Sequence, residues 1–465
     1  MSVLLCLANL IFCIVRLREC FRARSMAALF WASAIGFVAM PMAMDSLLVA
    51  AGRVGWMLDV YYDMGDGGVP YVDDGILSRA GAFALGFNGM FWLAGVFLRR
   101  VRGPKRSFMS SFDDRTAALL YWILVGGGWL GLGYMVFFEY GGIAAAFGRS
   151  FYEYGFLEIS IPVRHWYLNN LSALTIILSG YGLLYGLWKR KTVFALAGAV
   201  PSLAMGLVTG QRPWLVALGG AAFCYVLHGD WLGAKERRRP FRLSDFIYGS
   251  RVAFVLCGLV TFVFVLNFTR TYRTEAAQRT LSAVWDAAVR AGQMTAALRD
   301  SSVFVMYWVF DNVPERLATT DGLSTGNVLS TLLHVPGRQL EPIEAAGSYL
   351  AWHRNQQRYT TLHPTFYGWS MCDLGWWGVL WGYGLGCLVF GVERLAGRRS
   401  LFSLVSSAPL AVMIIVAMRG SVPYGVIRGV YGIGAGAFCL WAAGKVRQVL
   451  FQRSMVLQSS WLGRE

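Results

Sequence analysis

"TLHPTFYGWSMCDLGWWGVLWGYGLGCLVFG", residues 361–391, opens on a histidine and a proline. From Phe366 it then runs to Gly391 with Asp373 as its one charge. A helix rises about 1.5 Å per residue, so a run of this length exceeds the ~30 Å of a bilayer's hydrocarbon. If it enters from an outer face, His363 stands at its mouth and Asp373 about two turns inside. Ionisable groups in hydrocarbon are costly and mark sites or partnerships, so this stretch poses both the fold and the function.

Composition makes the run a membrane span. The 465 residues are 56% hydrophobic and only 15% charged, where a soluble chain carries about 25%. Further apolar runs lie near 2–16, 27–50, 80–98, 117–138, 166–188, 192–210, 212–228, 251–268, 401–418 and 422–443. With 366–391 they predict an all-α polytopic membrane protein of about eleven transmembrane helices, with residues 1–465 as a single integral membrane domain. The alternating pattern of a membrane β-barrel is absent from the sequence.

Basic clusters set the orientation. "RLRECFRAR" (16–24), "RRVRGPKR" (99–106), "KRK" (189–191), "KERRRPFR" (235–242), "ERLAGRR" (393–399) and the tail after Lys445 all fall on alternate loops. That side is the expected cytoplasmic face, with the N-terminus out and the C-terminus in. The net charge of +16 is therefore read as a topology signal and not as a nucleic-acid surface. The largest outer segment, 269–365, is a long periplasmic loop between the eighth and ninth spans. Within it, 275–299 has helical spacing through Leu281, Trp285, Ala288 and Leu298. The short "VFVMYWVF" (303–310) suits a helix resting on or dipping into the interface.

The eight cysteines form no CxxC pair, and Cys6, Cys13 and Cys20 recur every seven residues, as on one helix face. The sequence carries no Walker A loop, HExxH or GxSxG. No metal ligand set and no cofactor are expected. Asp73-Asp74 is the nearest approach to a metal-binding pair and reads as an exposed turn. Arginines at the outer helix ends stand out instead: Arg212 between two spans, Arg270 and Arg273 leaving the eighth span, and Arg338 in the outer segment. Arg419 occupies the turn of the last hairpin, and Arg428 lies nine residues on, inside the final span. Each alone suits snorkelling or a nearby acid. Gly425, Gly429, Gly432 and Gly436 allow close packing that would turn Arg428 into the bundle. Converging guanidiniums would hold a phosphorylated anion, and a lipid-borne one is the natural candidate.

In motif order, residues 200–440 resemble the bacterial oligosaccharide repeat-unit polymerases, the Wzy family of O-antigen and enterobacterial common antigen type. The shared order is the turn Gly210-Gln211-Arg212, the exit Arg270-x-Tyr272-Arg273 and the outer Pro336-Gly337-Arg338. "HPTFYG" (363–368) then leads into a glycine-rich span, and the last hairpin carries Arg419 and Arg428. His363 followed by Gly375 is also similar to the O-antigen ligase pattern. The enterobacterial type has serine before the Pro-Thr pair where this chain has His363. The resemblance implies a GT-C-like fold in a bacterial inner membrane, with the site facing the periplasm. It also implies undecaprenyl-pyrophosphate-linked oligosaccharides as donor and acceptor, transfer without nucleotide sugar or metal, and a Wzz-type chain-length regulator as a possible partner. On this reading Arg212, Arg338, Arg419 and Arg428 stabilise the leaving pyrophosphate, with Arg270, Arg273 and Tyr272 in support. His363 either accepts the attacking hydroxyl's proton or caps a helix, with His334 and His353 as competitors. Asp373 either orients an arginine or lines the cavity, and Asp45 has the same two readings. Trp369, Trp376, Trp377 and Trp381 suit sugar stacking, an interfacial belt or core packing. A flippase for the same lipid-linked glycan and a ligase with another acceptor are the alternatives.

Overall fold

The computed structural model describes residues 1–52, 72–100, 113–143, 146, 166–209, 213–232, 285, 288–289, 302–313, 315, 317–333, 364–396 and 400–462. Among these residues every regular element is helical. They cluster into two compact units. The first comprises Met1–Arg102, Val260–Val392 and Ala411–Gly429; the second comprises Gly103–Leu259, Glu393–Leu410 and Val430–Glu465. Among the described residues, seven helical segments are long and apolar enough to cross a bilayer by length and composition, and Pro213–His228 and Leu401–Val416 are shorter apolar helices. The eighth run expected from the sequence, 251–268, lies outside the described residues, as does most of 275–299.

In the first unit, α1 (Ser2–Ala23) runs beside α3 (Asp74–Arg100) in the same direction. Its amino end meets Asp74, Cys6 reaches the Leu77 carbonyl, and the Arg16 guanidinium lies 4.8 Å from the Trp92 ring centroid. Cys6, Cys13 and Cys20 are buried on one face of α1, as their spacing predicts, while Leu4 on another face is 74% exposed. Large apolar side chains left open in this way are what a lipid-facing surface requires. The next helix, α2 (Ala28–Ala50), contains a π-helical turn over Ile35–Ala39. Pro41 explains it: the ring would press on the carbonyl four residues back, at Phe37, and the wider turn relieves that clash.

The second unit contains α4 (Asp114–Glu139), α5 (Trp166–Leu178), α6 (Gly180–Lys189), α7 (Thr192–Thr209) and α8 (Pro213–Leu232). The run 166–188, expected as one span, is one over Leu168–Lys189, with a single turn residue at Ser179, whose hydroxyl donates to the Ile176 and Gly198 carbonyls at 2.7 and 3.1 Å. Helices α6 and α7 form a hairpin with almost touching backbones. A Cβ on Gly182 would meet the Gly198 Cα at 2.7 Å, the small-residue contact that lets helices associate in lipid. Asp113 caps α4 by accepting from the Thr116 N–H at 2.8 Å and hydroxyl at 2.7 Å, and it pairs with Arg447 at 3.1 Å. Burial pushes its carboxyl up, but these hydrogen bonds and the arginine outweigh burial and hold it below the usual carboxylate range.

Candidate functional site

Half-helices within the first unit carry the polar interior. The apolar run at 366–391 is not a single rod. It divides into α11 (Thr365–Leu374), a 3₁₀ segment (Gly375–Val379) and α12 (Leu380–Ala396). A Cβ on Gly378 would collide with the Ser370 carbonyl, and the Trp381 ring lies 5.7 Å from Phe366 and 5.6 Å from Trp369. In an unbroken helix, residues fifteen apart are separated by about 22 Å along the axis. The chain therefore turns back on itself at Gly375, whose φ of 57° and ψ of −140° only glycine adopts readily.

Helix α12 then descends parallel to α3, with Gly386 against Ala94 and Phe91. Helix α11 runs the opposite way. Tyr367 lies beside Phe87 and Asn88, some 20 Å along α3 from Asp74, whereas Trp376 lies beside Phe83. Pro364 and Thr365 are buried, so the expectation of a proline at the span's outer mouth is corrected: Thr365 lies deeper than Asp373, while His363 lies outside the described residues. Because the run is apolar on every side, hydropathy gives no sign of the reversal.

A second half-helix, α9 (Ser302–Asn312), ascends beside α11. Phe310 packs on Phe83 with centroids 5.3 Å apart, and Glu315 reaches Arg79 at 2.9 Å. Val303, Val305, Met306, Tyr307, Val309 and Phe310 are all buried. The expected interfacial helix is thus a core element of this unit. Close contact between Gly368 and Met306 joins the pair.

Among the described residues two carboxylates are buried, and both have specific partners. Asp45, 1% exposed on α2, accepts from the Tyr307 hydroxyl at 2.8 Å. Asp373, 0% exposed, accepts from the Ser324 and Thr325 N–H groups at 3.0 and 2.8 Å and from the Thr320 hydroxyl at 2.5 Å. The Thr325 hydroxyl completes the set. These donors form the N-terminus of α10 (Leu323–Leu332), whose own N-cap residue, Gly322, has no side chain to offer. In return, the Thr320 and Gly322 N–H groups donate to the Cys372 and Asp373 carbonyls, each at 3.0 Å. Each helix end thereby satisfies the orphan groups of the other. Among the described residues the Asp373 carboxylate thus caps a helix, through donors from Thr320, Ser324 and Thr325.

A further buried chain links three elements: Tyr367 donates to Asn88 Oδ1 and Asn88 Nδ2 donates to Asn9 Oδ1, both at 2.8 Å. The sequence reading missed Asn9, Asn88, Tyr307 and Thr325. Polar residues inside charge-free runs were the available signal.

Arg419 and Arg428 both lie in the 411–429 part of this unit, where α13 (Leu401–Val416) turns at Gly420 into α14 (Val422–Leu462). The expected glycine contacts are present: Gly425 faces Ala417, and Gly429 faces Met413. Both arginines are half-buried. Arg428 lies over the Tyr424 ring, its Cζ 3.9 Å from the centroid, and donates from Nη1 to the Tyr424 hydroxyl. Arg212, Arg270, Tyr272, Arg273, Arg338 and His363 lie outside the described residues. Trp369 is buried in the core, whereas Trp376 and Trp377 are 47% and 74% exposed.

Long apolar helices, lipid-type exposed faces and polar groups confined to the interior define a helical membrane protein. No protein-family model, curated protein or solved structure matches the chain.

Proposed function

We propose that this chain is a membrane glycosyltransferase that polymerises undecaprenyl-pyrophosphate-linked oligosaccharide repeat units at the periplasmic face of a bacterial inner membrane. The observation that carries the reading is the last hairpin, where Arg419 stands at the turn and Arg428, in the glycine-packed span after it, is held against Tyr424. An arginine fixed inside a helical protein suits a phosphorylated lipid head group better than a zwitterionic one. In the proposed reaction a sugar hydroxyl of one lipid-linked unit attacks the anomeric carbon of the growing chain. The bond from that carbon to the pyrophosphate oxygen breaks, and the lipid pyrophosphate leaves with the electron pair. Arg419 and Arg428, with Arg212, Arg338, Arg270 and Arg273, stabilise the developing charge. His363 takes the hydroxyl proton.

Half-helices α9 and α11 favour a second reading, a transporter of the same lipid-linked glycan, because broken helices commonly form substrate sites in transporters. Glycan banding after gene disruption separates the readings. Loss of a polymerase leaves single repeat units on the cell surface. Loss of a transporter removes outer-face intermediates, and loss of a ligase removes attached glycan altogether. In complemented cells, Arg419→Ala and Arg428→Ala should each collapse long chains to single units at unchanged membrane levels. Long-chain banding in both variants would remove the anion site from the proposal.

A further inference from the structure

Resting on the reading that Arg428 meets an anion, we propose that Tyr424 is the residue that positions it for a pyrophosphate-class ligand. The two residues are one helical turn apart on α14, where side chains four apart lie one above the other. The Arg428 Cζ lies 3.9 Å from the ring centroid, and Nη1 donates to the phenol oxygen. The backbone carrying the pair is itself fixed. Gly425 lies so close to Ala417 that a Cβ there would meet the Ala417 nitrogen at 2.7 Å, and Gly429 abuts Met413. These contacts set the rotation and register of this part of α14 against α13.

Stacking matters because of how arginine binds phosphate. Its donors lie in the guanidinium plane and grip an oxyanion edge-on, while an aromatic ring occupies a face. The ring beside Arg428 therefore orients the fork, while the phenol oxygen engages Nη1 on one edge of it. The ring also removes rotamer freedom that the long side chain would otherwise lose on binding. A lysine at this place would keep the charge but have no plane to orient. Tyr424 is thus a positioning residue acting through Arg428, and its ring is the essential part.

The test uses the purified full-length protein in nanodiscs of neutral lipid, titrated with inorganic pyrophosphate and, separately, with farnesyl pyrophosphate. Tyr424→Leu should weaken binding of the probe about tenfold, the scale of a partly desolvated cation–π contact. Tyr424→Phe, which restores the ring alone, should return to within about threefold of the native protein. Arg428→Lys should behave like Tyr424→Leu. Equal loss for both probes marks a site for the pyrophosphate group itself. Loss confined to farnesyl pyrophosphate marks one that reads the lipid-borne form, and either result supports the positioning role. Native affinity in Tyr424→Leu, with binding lost in Arg428→Ala, overturns the proposal while sparing the anion site. Native affinity in Arg428→Ala overturns the anion site beneath it. Matched melting curves for Tyr424→Leu and Tyr424→Phe keep misfolding out of the comparison.

Discussion

A carboxylate with no exposed surface loses the hydration that keeps it charged, and it needs donors in compensation. Asp373 has four, all from residues 320–325. Two are the leading N–H groups of α10, where the helix dipole also favours negative charge. Trp381 Nε1 donates to the Thr325 hydroxyl oxygen at 2.8 Å and fixes one of the donors in turn. An asparagine here would keep the shape but lose the charge, and it would turn an N–H₂ toward other donors. Asp373→Asn should therefore destabilise the protein by about 2–3 kcal/mol, the scale of charge-assisted bonds lost in a buried site. Thr325→Val should cost less, since two N–H donors and the Thr320 hydroxyl remain. Thermal unfolding of the detergent-solubilised protein measures both. A native melting temperature in Asp373→Asn would deny the carboxylate its capping role.

At the scale of elements, the sequence shows where apolar helix lies but not where it stops within the membrane. Residues 366–391 read as one span because Phe366, Tyr367, Trp369, Met371 and Cys372 are all buried. A helix surrounded by protein has no polar face to betray its direction. The reversal depends on Gly375, yet one glycine among 54 carries little weight in a sequence. The last hairpin was legible for the opposite reason. Four glycines at helical spacing mark a packing stripe, and Gly425 and Gly429 do meet α13. Gly375→Ala tests the turn. Alanine can hold the required backbone angles only at a cost of about 1–3 kcal/mol, and the structure leaves room for the methyl group, with the nearest atom, on Thr319, at 3.5 Å. A loss of stability would therefore be backbone strain alone. An unchanged melting temperature would mean that the chain does not reverse there.

For the molecule as a whole, direction of travel is the property that sequence and structure constrain from independent sides. Basic clusters place residues 16–24 and 99–106 on one face. Side-chain contacts make α1 and α3 parallel, so Met1 and Asp74 share the other face. The half-helices climb toward that same end, since Glu315 pairs with Arg79 and the α11 C-terminus adjoins Gly322. Asp73 and Asp321 are exposed there, and Arg24 is exposed at the opposite end of α1. Single cysteines at Asp73 and Asp321 should thus react with a membrane-impermeant maleimide in intact spheroplasts, and one at Arg24 only after permeabilisation. The native cysteines on α1 are buried and should stay silent. Reaction at Arg24 together with Asp73 would break the parallel arrangement. Reaction at Arg24 alone would keep the arrangement but invert the orientation on which the proposed periplasmic reaction rests.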